Sequence, residues 1–231
     1  MSQPTAIITG AGGAIAGYII EAFAEAGWKL GLIAYSENES QRAKQTCADA
    51  AVAVANLANE DAARTAIGDL EKQLGHADAL LNIAGGFDMS SATDTSMAQL
   101  EAQMDINLRT AFNATRAVLP GMLENGHGLI LGVGAAAAID GGASMGPYAA
   151  SKAALITWLK SVHAEVAPQG VDVAILYPMA AVDTPGNRHA MPDVDPQTWI
   201  DPRELAASAL HLATRGARGR MLEAKVYAPA N

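Results

Sequence analysis

Ile7-Ile8-Thr9-Gly10-Ala11-Gly12-Gly13-Ala14-Ile15-Ala16-Gly17 is the stretch that decides the fold. A β-branched apolar run ends at Thr9, glycines follow, and small apolar residues resume from Ala14. Glycine takes up positive φ without steric cost, so the cluster lets a strand turn sharply into a helix. It also leaves amides uncovered at the helix N-terminus, where the aligned peptide dipoles favour an anion such as a pyrophosphate. Such turns also occur where no ligand binds, so the surrounding pattern has to decide.

Outward from this turn the chain alternates short β-rich runs with longer helical ones. Residues 5–9 and 29–34 read as strands flanking a helix that starts near Ala14, and 51–55 and 79–83 as shorter strands separated by a helix over 60–74. A long helical pattern over 97–124 stops at Asn125-Gly126, two residues that tolerate positive φ. A strand over 129–133, a helix over 147–166 and a strand over 171–177 follow, then a helix over 204–214 and a strand over 221–227. Strands alternating with helices require right-handed crossovers and a parallel sheet covered on both faces. The expected class is therefore α/β, a doubly wound parallel sheet in a single domain spanning 1–231. Residues 183–202, punctuated by Pro185, Pro192, Pro196 and Pro202, are long for a connection and read as a substrate lid.

The 231 residues are 50% apolar and 5% aromatic, with abundant alanine that suits helices packed closely on a sheet. The net charge of −9 and the lack of any basic run argue against nucleic acid and against an anionic membrane surface. No apolar stretch approaches the roughly 18–20 residues of a membrane span. The start Met1-Ser2-Gln3-Pro4 runs at once into a strand, with no room for a leader. Cys47 is the only cysteine, which excludes an internal disulfide and fits a reducing, cytoplasmic setting; it reads as a packing residue. The five histidines show no metal-ligand spacing, so no metal is expected.

In dinucleotide folds an acid at the end of the second strand binds the adenosine ribose hydroxyls. Here the strand runs Leu32-Ile33-Ala34-Tyr35-Ser36, with no acid. Its absence removes repulsion against a 2′-phosphate, which Ser36 or Arg42 could contact, while Glu37 and Glu39 nearby oppose it. NADPH is favoured slightly over NADH. In Tyr148-Ala149-Ala150-Ser151-Lys152 a phenol and an ammonium stand at i and i+4 on one helix face. Tyrosine titrates near ~10, so acid–base work near neutrality needs a shift of about three units, part of which a neighbouring cation supplies. On its own such a pair is commonplace on helix surfaces.

Taken together, the segments resemble the short-chain dehydrogenase/reductase family over essentially the whole chain. They are Thr9-Gly10 with its glycines, Asn82-Ile83-Ala84-Gly85, Asp105-Ile106-Asn107, and Tyr148 to Lys152, in the family's order and spacing. The resemblance implies a Rossmann fold and a nicotinamide dinucleotide. It makes Tyr148 the proton donor, Lys152 the group that binds the nicotinamide ribose and lowers the tyrosine pKa, and Asn107 the holder of a relay water. It gives Gly10, Gly12, Gly13, Ala14, Ile15, Tyr35, Ser36, Asn56, Leu57, Asn82, Ala84, Gly85, Pro178 and Thr184 to the cofactor. It also implies homo-oligomers, through the long helices around Asn107 and Trp158.

The departures are informative. The family's glycine pattern would place glycine at Ala14 and Ala16, and a catalytic serine thirteen positions before the tyrosine, at Ala135. An alanine cannot hydrogen-bond a developing oxyanion. Dihydropteridine reductases, a branch of the family, also have alanine there. The chain is similar to them in Ala84-Gly85-Gly86-Phe87, in Asp140-Gly141, in Met145-Gly146-Pro147-Tyr148, and in the lid run from Asp183-Thr184-Pro185 through Asn187-Arg188 to Met191-Pro192. That branch carries an aspartate where Ala34 stands. A quinonoid pterin accepts hydride into a conjugated imine system and needs less oxyanion stabilisation than a ketone. Expected substrate residues are Ala135, Ser144, Phe87 and Arg188. The expected function is reduction of a small-molecule carbonyl or quinonoid, imine-like acceptor. The alternatives are a non-catalytic nucleotide-binding member, and a general carbonyl reductase using Ser144 in place of the missing serine.

Overall fold

The glycine turn joins β1 (Thr5–Thr9) to α1 (Ala14–Glu25). In the computed structural model, which describes residues 3–216 and 218–230, the chain continues through β2 (Lys29–Ala34), α2 (Glu37–Thr46), β3 (Ala51–Val54), α3 (Glu60–Leu74) and β4 (Ala79–Asn82). Next come α4 (Met97–Met104), a π-helical turn (Asp105–Arg109), α5 (Thr110–Asn125), β5 (Gly128–Val133) and α6 (Ala137–Asp140). The rest is α7 (Gly146–Val166), β6 (Val171–Pro178), α8 (Pro185–Ala190), α9 (Pro202–Thr214) and β7 (Glu223–Val226). Met1 and Ser2, with which the segment read as too short for a leader begins, lie outside the described residues.

The strands form one parallel sheet in the order β3-β2-β1-β4-β5-β6-β7. This is the doubly wound Rossmann-like arrangement. Successive side chains of a strand point to opposite faces, and the cores follow that alternation. Ala6 and Ile8 pack with α1 and α9 residues such as Ile19, Phe23 and Leu205. Ile7 packs on the other face with Ile67 of α3, Val118 of α5 and Leu159 of α7. Strand order reverses beside β1, so a crevice opens where the chain leaves β1 and β4 in opposite directions, the place where ligands bind in such sheets.

Three features differ from the expected elements. The unbroken helix over 97–124 is interrupted by the π-helical turn, which swings Asn107 fully inside. Helix α2 fills a span in which no element was expected; its face carries only Ser40 and Ala43 inward, too few apolar positions to leave a period. The span 183–202, expected as a lid, contains α8 and a 3-10 turn (Pro196–Thr198), and its ends are pinned by the Val182–Ile200 bridge. Among the described residues no helix is long and apolar enough to cross a membrane, and no cluster of His, Cys, Asp or Glu could hold a metal. Cys47 packs partly buried against the core.

Candidate active site

The turns after β1 and β4 lock together across the crevice. Thr9 Oγ1 accepts hydrogen bonds from the amides of Ile83 and Ala84, both 3.1 Å, and donates to the Leu81 carbonyl. Gly10 has φ +65°, and a Cβ there would lie 2.6 Å from Ala84 Cα. Only glycine meets both conditions. Gly13 is the N-cap of α1; no side chain caps that helix and its first turn carries no acid. Gly13 and Ala14 are exposed and Ile15 is half-buried, so the first-turn amides face the crevice open to an anion. These residues fit a dinucleotide pyrophosphate.

Gly12, expected at the cofactor, also makes room for a neighbouring side chain. A Cβ at Gly12 would lie 2.4 Å from Glu39 Cβ and 2.5 Å from its Cγ, so the missing side chain makes room for Glu39. The Glu39 carboxylate in turn accepts a 2.9 Å hydrogen bond from the Tyr35 amide. Ser36 caps α2 by accepting from the Glu39 amide, and Tyr35 is 67% exposed. After β3, Asn56 accepts from the Ala58 amide, and the Leu57 carbonyl is held by Asn113 Nδ2 at 2.9 Å.

At the other end of the crevice, α7 carries Tyr148 and Lys152. Lys152 is buried and donates to the Val133 carbonyl at 2.9 Å; burial lowers its pKa to about 8. Tyr148 is half-buried, and burial pushes its phenol above the usual tyrosine value. Burial is the cause of that shift, and the Lys152 ammonium directs its hydrogen bond to Val133. Asn107 has no exposed surface. Its Oδ1 accepts from the Gly86 amide at 3.0 Å, and its Nδ2 lies 2.9 Å from the Gly86 carbonyl and 3.1 Å from both Gln103 Oε1 and Ser151 Oγ. A Cβ at Gly85 would lie 2.8 Å from Asn107 Oδ1 and 3.3 Å from Lys152 Nζ. The loop after β4 thus runs directly over Asn107 and Lys152.

Of the expected substrate residues, Phe87 packs edge-on against Tyr148, ring centroids 4.9 Å apart, while remaining 54% exposed. Ala135 is buried beyond β5. Ser144 is exposed, has φ +61°, and its carbonyl accepts from the Ser90 amide, tying the loop before α7 to the loop after β4. Arg188 is not brought to this group. It pairs with Asp183 at 2.6 Å, and both line a cavity of about 1120 Å³ with Tyr18, Trp199 and Tyr227, a lining that does not include Tyr148. Thr184 spends its hydroxyl capping α8, and the Pro178 carbonyl accepts from the Ala136 amide. Asn82 reaches Thr115 through Nδ2, while its buried Oδ1 has no partner among the described residues.

Gln103, Ser151, Asn113 and the bridging Thr9 hydroxyl were not among the expected site residues. Gln103 stands four before Asn107, a neighbouring helix position, and Ser151 adjoins Lys152; both spacings carried the signal. Asn113 left none, because its partner lies 56 residues away.

Residues 4–195 match the family described as short chain dehydrogenase. The chain is 29% identical over 222 residues to the 3-oxoacyl-[acyl-carrier-protein] reductase FabG of Vibrio cholerae, covering 90% of this chain and 89% of that protein. It is 31% identical over 183 residues to the inactive 2-(S)-hydroxypropyl-CoM dehydrogenase 2 of Xanthobacter autotrophicus, covering 78% of this chain and 79% of that one. Its fold matches a metagenomic short-chain oxidoreductase in complex with NADP, at TM-score 0.85 and 22% identity over 100% of this chain and 99% of that one. It also matches the Brucella melitensis 3-ketoacyl-(acyl-carrier-protein) reductase complexed with NADH, at TM-score 0.84 and 23% identity over 96% of each chain. With the open α1 N-terminus at one end of its crevice and Tyr148 and Lys152 at the other, the chain belongs to the short-chain dehydrogenase family and is an NAD(P)-dependent oxidoreductase.

Proposed function

We propose that the protein reduces a carbonyl or a quinonoid, imine-like acceptor, with Tyr148 as proton donor. A reduced nicotinamide dinucleotide supplies the hydride when bound. Gly10, Gly12, Gly13, Ala14 and Ile15 would hold its pyrophosphate, and Tyr35, Ser36, Asn56 and Leu57 its adenosine. Asn82, Ala84, Gly85, Pro178 and Thr184 would border the rest. The observation that carries the reading is the placement of Tyr148, a protonated phenol set against Phe87 on the same helix as the buried Lys152. A reduction consumes that proton. Lys152, one helical turn away and still charged below about 8, offsets the negative charge left on the phenolate. Asn107 fixes the Gly86 backbone and so sets where Phe87 meets Tyr148.

Ala135 offers no hydroxyl to a developing oxyanion, which favours a substrate that places little charge on oxygen. We therefore read the chain as dihydropteridine reductase-like, with a quinonoid dihydropterin as the preferred acceptor. The strained backbone of Ser144 favours a second reading, a general carbonyl reductase in which that residue stands in as donor. A non-catalytic family member is the third, and one of the relatives is named as inactive. Assays with NADH and NADPH against quinonoid dihydropterin, aldehydes, ketones and quinones separate them. Ser144→Ala should leave pterin reduction intact, whereas it would cripple a carbonyl reductase that depends on that hydroxyl. Cofactor binding with no turnover of any acceptor would leave the non-catalytic reading. The half-buried pair Trp158 and Phe112, with centroids 5.1 Å apart, and the exposed Met97 and Ile106 sit on the helices we read as a homo-oligomer interface.

A further inference from the structure

We propose that Glu39, on α2, makes the protein select NADH over NADPH; the proposal rests on the dehydrogenase reading of the crevice. The second strand ends at Ala34, without the acid that would accept hydrogen bonds from the ribose hydroxyls. Glu39 brings a carboxylate to the same place from the following helix. Its amide donates to Ser36 Oγ, which fixes the residue in the first turn of α2. Its Cβ and Cγ fill the space that a side chain at Gly12 would occupy, 2.4 and 2.5 Å from where that Cβ would stand. Its Oε2 accepts from the Tyr35 amide at 2.9 Å. The carboxylate is thereby held between the glycine turn and the end of β2, with its stem half-buried.

This placement has two consequences for a dinucleotide whose pyrophosphate lies on the α1 N-terminus. An ionised carboxylate has about four lone-pair sites and only accepts, so Glu39 retains capacity for ribose hydroxyls after bonding Tyr35. A 2′-phosphate would meet a like charge and would find the Tyr35 amide already engaged. Arg42, exposed one turn further along α2, is the cation that opposes this effect. Unlike Glu39 it is not drawn against the glycine turn. The preference for NADPH drawn from the missing strand-end acid is thus reversed by an acid the strand does not carry.

Dissociation constants for NADH and NADPH, measured by calorimetry on the wild type and on Glu39→Gln, test this without reference to turnover. The glutamine can still accept from the Tyr35 amide, so the variant removes charge while leaving the helix cap in place. Expected is NADH tighter by about tenfold or more in the wild type, with that ratio falling by about tenfold in the variant through tighter NADPH. NADPH binding more tightly than NADH in the wild type would overturn the proposal alone. So would an unchanged ratio accompanied by a lower melting temperature of the free variant, which would make Glu39 a helix cap and nothing more. Binding of neither cofactor would overturn it together with the dehydrogenase reading.

Discussion

Lys152 is buried without a carboxylate partner among the described residues, and its pKa of about 8 follows from that desolvation. The folded-state value lies below the unfolded one of about 10.4, so between the two the unfolded chain binds more protons and stability rises with pH. Below about 8 the full penalty, about 3 kcal/mol, is in force. Urea titrations should therefore show the wild type gaining stability from pH ~7.5 to ~10 relative to Lys152→Met, which has no such window. Turnover should run the opposite way, falling as pH rises through about 8, because the neutral amine no longer supports the Tyr148 phenolate. Parallel pH profiles of stability in the two proteins would contradict this. The pair was legible in the sequence as i and i+4 on one helix; the Val133 carbonyl that holds Lys152 was not, since it belongs to another strand.

The elements with an apolar period were readable to within a residue or two, because burial writes that period into the sequence. Helix α2 has almost no apolar face, and its only signal was Ser36 followed three residues later by Glu39, the spacing of a capping pair. The glycines of Gly132-Val133-Gly134 answer to packing, since Cβ atoms there would meet Leu159 and the Tyr177 ring. The π-helical turn had no periodic trace, yet it directs Asn107 to Gly86, Gln103 and Ser151. Asn107→Ala would leave several buried polar groups unpaired. A loss of about 2–4 kcal/mol in urea unfolding is expected, with weaker cofactor binding; a loss near zero would show that the loop after β4 holds itself. At the opposite end of the sheet, Asp78 accepts from the Thr5 amide and pairs with His127, whose pKa the hydrogen bond raises. A raised histidine stabilises fully below its unfolded value near ~6.5 and loses that contribution as pH rises through the folded one. His127→Gln should therefore lower the melting temperature slightly in mild acid and not in alkali, with the effect reduced by salt because the ring is largely exposed. A difference independent of pH would rule this out.

Across the whole molecule, the parallel sheet and its order set the crevice, and both were legible because alternating strands and helices leave few other topologies. The two ends of the site, residues 10–15 and 148–152, are distant in sequence and are joined through Thr9, Ala84, Gly85 and Asn107. A ligand that binds only the folded chain stabilises it by about 2.7 kcal/mol at a hundredfold excess over its dissociation constant. For a chain of this size that is a rise of roughly 5–10 °C in melting temperature with the preferred cofactor, and no rise would count against the crevice as its site. The proton-donor role of Tyr148 is tested most directly by comparing the wild type with Tyr148→Phe, following oxidation of the reduced cofactor by quinonoid dihydropterin and measuring cofactor affinity on the same samples. Turnover lost by a factor of about 10² or more with affinity nearly unchanged is the expected result. Full turnover in the phenylalanine variant would contradict it.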